Sequence, residues 1–312
     1  MAKYLVTGGA GFIGSNLTAE LVKQGNNVFV VDDLSMGKIQ NLVGIDKNKL
    51  QFCEHSITDY AFMRQLLIEK KFDYIVLLAA VASVADSIER PYETHLVNQE
   101  ANVNILETVR KYKLPVKKII FSSSAAVYGN LPELPKKETS RVDPLTPYAI
   151  DKFATERFVI NYGRLYDIPT VATRFFNVYG PKQNPQSPYS GVLSIITECL
   201  RHNQPFTLYG DGKQERDFIY VADVVKALIL LLQSDAKHNV YNVATGKTNS
   251  LLEVIHKMEA VAGKSLRMTM GPERTGDIKF SQADISELGK LGFATDNDLG
   301  TGLEKYLKFE KI

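Results

Sequence analysis

The opening of the chain constrains its fold more than any other stretch. A short apolar run, Tyr4 to Thr7, breaks into Gly8, Gly11 and Gly14, and SNLTAELVKQG (15–25) follows with a helical period. Strand, tight glycine turn and helix in that order begin a βαβ unit. The alternation continues through the first half of the chain. Strands are expected at 4–8, 27–33, 49–53, 73–80, 117–124 and 170–176, with helices at 15–25, 60–70, 98–112 and 147–165. Most of these strands are continuously apolar, the pattern of parallel strands covered on both faces. The expected fold is therefore α/β, a Rossmann-type doubly wound parallel sheet.

Beyond Asn177 the pattern changes. Residues 179–191 are rich in Pro, Asn, Ser and Gly and read as a loop. A helical period returns at 221–233 and a strand at 240–245, and the tail from Ser250 is mixed, with a loop at 271–277. A second, smaller, mixed α/β C-terminal domain is expected. The division is 1–176 plus 216–245 for the first domain and 177–215 plus 246–312 for the second. A chain of 312 residues, 45% hydrophobic and 23% charged, has material for both cores. A net charge of +2 without a basic stripe argues against a nucleic-acid partner. No apolar run approaches the ~20 residues needed to cross a bilayer, and no basic leader precedes the first strand. Cys53 and Cys199 suggest neither a disulfide framework nor a metal site. The expectation is a reduced, cytoplasmic protein with no membrane or metal partner.

Two constellations carry chemistry. The glycines let a pyrophosphate approach the backbone closely, and the helix behind them turns its positive end toward it. Asp32 ends the next strand, the place of an acid that bonds a ribose hydroxyl. With Asp33 beside it a 2′-phosphate would be repelled, so NAD is expected rather than NADP; Lys38 reads as a surface residue. Tyr148 and Lys152 lie one helical turn apart, in a helix that Thr146 would cap and Pro147 would open. A phenol ionises near pH ~10. A neighbouring ammonium, helped by a nicotinamide cation, would favour phenolate and make Tyr148 a base. The strand 117–124 ends in Ser122, Ser123 and Ser124, where hydroxyls reach ligands in the crevice. Ser124 would bond the substrate oxygen that Tyr148 deprotonates, and Lys152 would hold the nicotinamide ribose. Ser122 fits a ligand contact or a polar strand-end cap equally well.

These residues sit in VTGGAGFIGSNL, FSSSAAVYG, PYAIDKFATE, RFFNVYGP, YGDGKQERDFIYVADV and ERTGDIKFSQAD, in that order over nearly the whole chain. The chain resembles the extended short-chain dehydrogenase/reductases, and among them the nucleotide-sugar epimerases and dehydratases. It is most similar to the 4-epimerases of UDP-galactose and UDP-N-acetylglucosamine. The resemblance implies that Tyr148 takes the proton of the sugar 4-hydroxyl while C4 gives hydride to tightly held NAD. The 4-keto sugar then turns over and the hydride returns to its other face. In the related 4,6-dehydratases an Asp–Glu pair follows the hydroxyl residue; here Ala125 and Ala126 stand there and cannot move protons. UDP-glucuronate decarboxylases keep a glutamate where this chain has Ala126.

The resemblance also implies cofactor contacts from Phe12, Ile13, Asp33, Ser35, Ser56, Ile57, Ala79, Ala80, Asn98 and Ser122, beside the glycines. It assigns Asn177 to the diphosphosugar, Arg216 and Arg274 to the pyrophosphate, and Asp277 to the uridine ribose. Arginine suits that task because its fork bonds two oxygens at once. Ser83, Ser123, Val192 and Tyr209 would line the substrate, although Tyr209 and Phe218 also fit an aromatic core. Ser281 falls at a gate where a small residue admits an N-acetylated sugar, which favours UDP-GlcNAc/UDP-GalNAc with UDP-Glc/UDP-Gal as well. Two positions depart from the family pattern. Leu77 replaces a frequent histidine, and Ser56 replaces the adenine-side aspartate. A homodimer through helices 98–112 and 147–165 is implied, with Val103, Leu106, Phe153 and Phe158 on the packed faces. A 4-keto-sugar reductase, a UDP-glucuronate 4-epimerase and a non-catalytic dinucleotide-binding protein remain as alternatives.

Overall fold

The computed structural model describes residues 1–184, 191–273 and 279–312. Its first half runs β1 (Lys3–Thr7), α1 (Phe12–Lys23), β2 (Asn27–Asp32), β3 (Leu50–Glu54), α2 (Tyr60–Lys70), β4 (Tyr74–Leu77), α3 (Val84–Glu89), α4 (Pro91–His95), α5 (Ala101–Lys111), β5 (Lys118–Ser124), α6 (Pro147–Tyr166) and β6 (Thr170–Phe175). The second half adds β7 (Asn177–Tyr179), α7 (Val192–His202), β8 (Phe206–Tyr209), β9 (Glu215–Arg216), β10 (Phe218–Tyr220), α8 (Val221–Gln233), β11 (Asn239–Val243), β12 (Asn249–Ser250), α9 (Leu251–Ala262), β13 (Met268–Gly271), β14 (Phe280–Ser281), α10 (Ser286–Gly289) and α11 (Leu299–Phe309).

A seven-stranded sheet has the order β11-β6-β5-β4-β1-β2-β3. Strands β1 to β6 pair in parallel register, with Thr7 opposite Val31 on one side and Leu77 on the other. The expected α/β doubly wound sheet is therefore present. Its winding reverses between β1 and β4, and ligands of such sheets bind outside the carboxyl ends at that point. Gly8 follows β1 there, and Ala79 lies just beyond β4.

Compactness divides the chain into two units. The first is Met1–Gly129, Arg141–Phe175 and Val225–Tyr241. The second is Asn130–Ser140, Phe176–Val224 and Asn242–Ile312. Residues 130–140, 216–224 and 242–245, placed in the first domain by the sequence pattern, thus cluster with the second unit. In the first unit, Leu5, Val31, Ile75, Leu77, Ile119 and Phe121 of the sheet pack with Met63, Leu67, Ile105, Leu106 and Val159 of the helices. Leu106 is wholly buried in this core, so it is not available to a second copy, whereas Phe158 is 40% exposed. The helix expected at 98–112 begins at Ala101, behind two short helices and a π turn at Leu96–Glu100. In the second unit, Leu193, Ile196, Val254, Ile255, Leu303 and Tyr306 form the centre of a separate core. No helix among the described residues is long and apolar enough to cross a membrane.

Candidate active site

The turn after β1 is shaped by missing side chains. Gly8 has a φ of +69°, and a Cβ there would come within 2.7 Å of the Ala79 nitrogen. A Cβ on Gly14 would overlap the Gly8 carbonyl oxygen, so α1 packs against the turn only with glycine at that position. Among the described residues no side chain caps α1, which starts behind Gly11, and no acid occupies its first turn. The first amides of the helix, at Phe12 and Ile13, would therefore meet an anion without a competing carboxylate in that turn.

Asp32 braces this turn. Its Oδ2 accepts the Ala10 N–H at 2.9 Å and its Oδ1 the Leu34 N–H at 2.9 Å. Burial pushes the carboxyl above its ordinary range, and these N–H bonds pull it back. A Cβ on Gly37 would lie 2.8 Å from Asp32 Oδ1, so this glycine keeps one flank of the carboxylate open. Uncapped helix, close backbone approach and an acid at the end of β2 fit a dinucleotide. Around them, Ser35 bonds Asp33 Oδ1 through its amide and hydroxyl, and Ser56 Oγ lies 2.9 Å from Thr58 Oγ1. Ile57 is buried, and Ala79 and Ala80 are half-buried. Ala79 donates its amide to Thr7 Oγ1 at 3.3 Å. The wholly buried Asn98 sits in the π turn and spends its side chain on both backbone groups of Val81, at 2.9 and 3.1 Å. It holds the loop after β4.

Helix α6 starts as its sequence demands, with Pro147 first and the Thr146 hydroxyl accepting the Ala149 N–H at 3.3 Å. Tyr148 lies in its first turn, half-buried, with the Ser124 hydroxyl beside its phenol and favouring phenolate. One turn on, Lys152 is 3% exposed and donates from Nζ to the Ser122 carbonyl at 2.8 Å. The Ser122 hydroxyl donates to the Leu77 carbonyl at 3.0 Å. Tyr148, Lys152, Ser122 and Ser124 are thus brought together at the end of β5. Burial drives the Lys152 ammonium down to about 7, against the pull of the neighbouring Asp151 carboxylate. Burial also raises the Tyr148 phenol, and the Ser124 hydrogen bond acts the other way. In the protein alone burial is the larger effect on the phenol, before the help expected from a nicotinamide cation. The sequence shows the spacing of the pair but not its desolvation.

Two expected substrate contacts have other work. Strand alternation turns Ser123 to the face opposite Ser122 and Ser124, where its hydroxyl donates to Glu156 Oε2 at 2.7 Å. Glu156 in turn holds Arg174 through two bonds of 2.6 and 2.9 Å, and Arg174 donates to the Tyr128 hydroxyl at 2.9 Å. Ser83 is 2% exposed and accepts the Asp86 N–H, capping α3. The sequence reading missed Ser87, whose hydroxyl accepts the Tyr148 N–H; its only signal was a small polar residue within AAVASVADS.

In the second unit, Asn177, Arg216 and Ser281 gather around Asp217. The Asn177 side chain donates to the Asp217 carbonyl at 3.1 Å, and Ser281 pairs with Arg216 between β14 and β9. Arg216 Nη1 donates to the Glu215 carbonyl at 2.9 Å. Val192 opens α7, and Tyr209 ends β8 opposite Gly271. Arg274 and Asp277 lie outside the described residues.

The profile of the family described as GDP-mannose 4,6 dehydratase matches residues 5–290. The chain belongs to this family. It is a nucleotide-sugar member of the short-chain dehydrogenase/reductases. Family members similar to it include a protein named putative UDP-glucose 4-epimerase from Methanocaldococcus jannaschii, 34% identical and aligned over 98% of both chains. The UDP-glucose 4-epimerase of Mycolicibacterium smegmatis is also 34% identical, over 98% of this chain and 97% of its own. Among solved structures, the UDP-N-acetylglucosamine 4-epimerase from Methanobrevibacter ruminantium M1, in complex with UDP-N-acetylmuramic acid, superimposes with a TM-score of 0.94. It shares 36% identity over 99% of this chain and 98% of its own. The UDP-glucose 4-epimerase of Thermus thermophilus in complex with NAD gives 0.90 and 34%, over 99% of both chains. Although the family description names a dehydratase, this member has Ala125 and Ala126 directly after Ser124, on a 3₁₀ turn.

Proposed function

We propose that the chain is an NAD-dependent UDP-sugar 4-epimerase acting on UDP-GlcNAc/UDP-GalNAc and also on UDP-Glc/UDP-Gal. One observation carries the reading: the Tyr148 phenol lies beside the Ser124 hydroxyl and the buried Lys152, with alanines where a dehydratase would need proton-transfer groups. The names of the relatives and of the solved structures support the same reaction class.

Bound NAD supplies a reversible hydride acceptor for C4 and, while oxidised, a positive ring that draws the buried phenol toward phenolate. The glycine turn, the start of α1 and Asp32 would hold it. Tyr148 takes the proton of the sugar 4-hydroxyl as C4 is oxidised and returns it when the opposite face is reduced. Ser124 bonds the same oxygen and fixes its distance from the phenol. Lys152, anchored on the Ser122 carbonyl, would bond a ribose hydroxyl. Ala125 and Ala126 leave C5 untouched, so the ketone has no route to elimination.

For the uridine diphosphate we assign Asn177, Arg216, Arg274 and Asp277, and for the sugar pocket the small Ser281, which leaves room for an acetamido group. We further assign a cytoplasmic homodimer through α5 and α6, supported by the exposed Ile150 and Phe158. Sedimentation showing only monomer at micromolar concentration would refute the dimer.

The activity is tested by NMR of purified protein with UDP-GlcNAc and, separately, UDP-Glc, without added reductant. The 4-epimer should appear from both, and Tyr148→Phe should abolish it. If neither sugar changes with NAD supplied, the reading is wrong.

A further inference from the structure

Between β9 and β10 the chain passes from one small sheet to another through a single residue, Asp217. Strand β9 belongs to the sheet β12-β9-β14, and β10 pairs with β7. The backbone of Asp217 ties both together. Its N–H donates to the Ser281 carbonyl at 3.0 Å, and its carbonyl accepts the Asn177 backbone N–H at 3.2 Å and side-chain N–H at 3.1 Å.

The carboxylate does a third task. It is wholly buried, an expensive place for a charge unless donors surround it. Oδ1 accepts the Thr245 N–H at 2.8 Å and the Thr245 hydroxyl at 2.7 Å, while Oδ2 accepts the Gly246 N–H at 2.9 Å and the Ala283 N–H at 3.4 Å. Thr245 and Gly246 lead into β12, whose Asn249 lies opposite Arg216, and Ala283 follows Ser281 by two residues. Asn177, Arg216 and Ser281 are therefore each bonded to Asp217, joined to it in sequence, or held on a segment that it anchors.

We propose that Asp217 is a positioning residue for the nucleotide-diphosphate part of the substrate. Its backbone holds Asn177 and Ser281 while its carboxylate anchors the Thr245–Gly246 and Ala283 segments beside them, so that Asn177, Arg216 and Ser281 stay fixed relative to one another. The carboxylate does not itself touch the ligand. The role rests on the UDP-sugar reading given above. An ionised carboxylate accepts from every donor around it, whereas an amide of the same shape turns N–H groups toward N–H groups. Asp217→Asn thus conserves volume and breaks the arrangement.

The test compares wild type, Asp217→Asn and Thr245→Val by calorimetric titration with UDP and with NAD, by melting, and by steady-state kinetics on UDP-GlcNAc. Asp217→Asn should weaken UDP at least about tenfold, the scale of one charge-assisted hydrogen bond, while NAD affinity stays within about twofold and KM rises more than kcat falls. Thr245→Val removes one donor of several, so UDP affinity should fall by about threefold with the fold intact. A folded Asp217→Asn protein with wild-type UDP affinity overturns the proposal, as does equal loss of UDP and NAD affinity, which would mark a merely structural role. Should Asp217→Asn not fold, Thr245→Val decides, and unchanged UDP affinity there overturns the proposal. Wild-type protein that binds NAD but not UDP overturns instead the UDP-sugar reading, and the role of Asp217 with it.

Discussion

The Ser87 hydroxyl accepts the backbone N–H of Tyr148 at 3.1 Å and donates its own hydrogen to the Val84 carbonyl at 2.6 Å. A helix leaves its first N–H groups without internal partners, and here the one belonging to the proposed base is met by α3. The wholly buried Ser87 therefore fixes the backbone from which the phenol projects. Ser87→Ala should lower kcat by about tenfold with little change in KM, and should cost about 1–3 kcal/mol for the unpaired N–H. Kinetics and a denaturant titration on the same preparation check both. Loss of stability without loss of kcat would separate Ser87 from the chemistry.

The Ser124 hydrogen bond lowers a phenol that burial raises. Removing the hydroxyl leaves burial unopposed, so the Tyr148 pKa moves up. Since phenolate is the active form of a base, the rate falls as pH drops through that pKa. Ser124→Ala should therefore shift the acidic limb of the kcat profile to higher pH, besides lowering kcat at its plateau by roughly tenfold to a hundredfold. A limb that stays in place would mean that Ser124 does not tune the phenol.

Lys152 is a buried cation whose pKa falls from 10.5 to about 7. Between these values the unfolded chain holds a proton that the native protein has released, so this group's contribution to stability rises with pH across that window. Its penalty is full below about 7 and relieved toward 10.5. In protein stripped of dinucleotide, Lys152→Met should melt above wild type at acidic pH, with the margin closing as pH rises through that range, and should lose activity throughout. A margin independent of pH would show that burial does not lower the Lys152 pKa in the native state.

The parallel sheet was legible because each strand had to be apolar at consecutive positions, and the first helix because glycine marks its entry. The smaller unit was less so. Strands β9, β12 and β14 have two residues each, too few for any period to register. Helix α9 did carry a signal that the sequence reading passed over: Ser250 and Glu253 form a capping box. Within the site, the Tyr148, Lys152 and Ser124 grouping followed from spacing, and strand alternation already told against Ser123. Glu156, Arg174 and Asp217 were not legible, because a charged residue in a sequence looks the same on a surface as at the centre of a network.

That network gives a stability prediction. Glu156 is wholly buried, Arg174 is 3% exposed, and the two share paired bonds between α6 and β6, with Ser123 of β5 as a third member. Glu156→Gln leaves the guanidinium in place without its countercharge, at a cost of about 3–5 kcal/mol. Because the pair anchors the helix that carries Tyr148 and Lys152, activity should fall in step with the folded fraction. Removing both charges with Glu156→Met and Arg174→Met should recover part of the stability. A double variant no better than Glu156→Gln would place the value of the pair in its hydrogen bonds rather than in charge balance.

The proposed sugar preference rests on Ser281. It is half-buried in the edge strand β14, opposite Arg216, and its carbonyl accepts the Asp217 N–H at 3.0 Å, so its backbone is tied to β9 and Asp217. That pairing resists a shift of the strand to make room for a larger side chain. Ser281→Tyr would put an aromatic ring where the proposed pocket leaves room for an acetamido group, and steric exclusion discriminates by cost to the larger ligand rather than by gain for the smaller. The expected outcome is a fall in kcat/KM for UDP-GlcNAc by about a hundredfold, with UDP-Glc changed by less than about threefold. The NMR assay on both sugars reads the ratio directly. Parallel losses on both would move the determinant of preference away from Ser281. A gain on UDP-Glc would show that the small gate costs affinity for the plain sugar by leaving a space it does not fill.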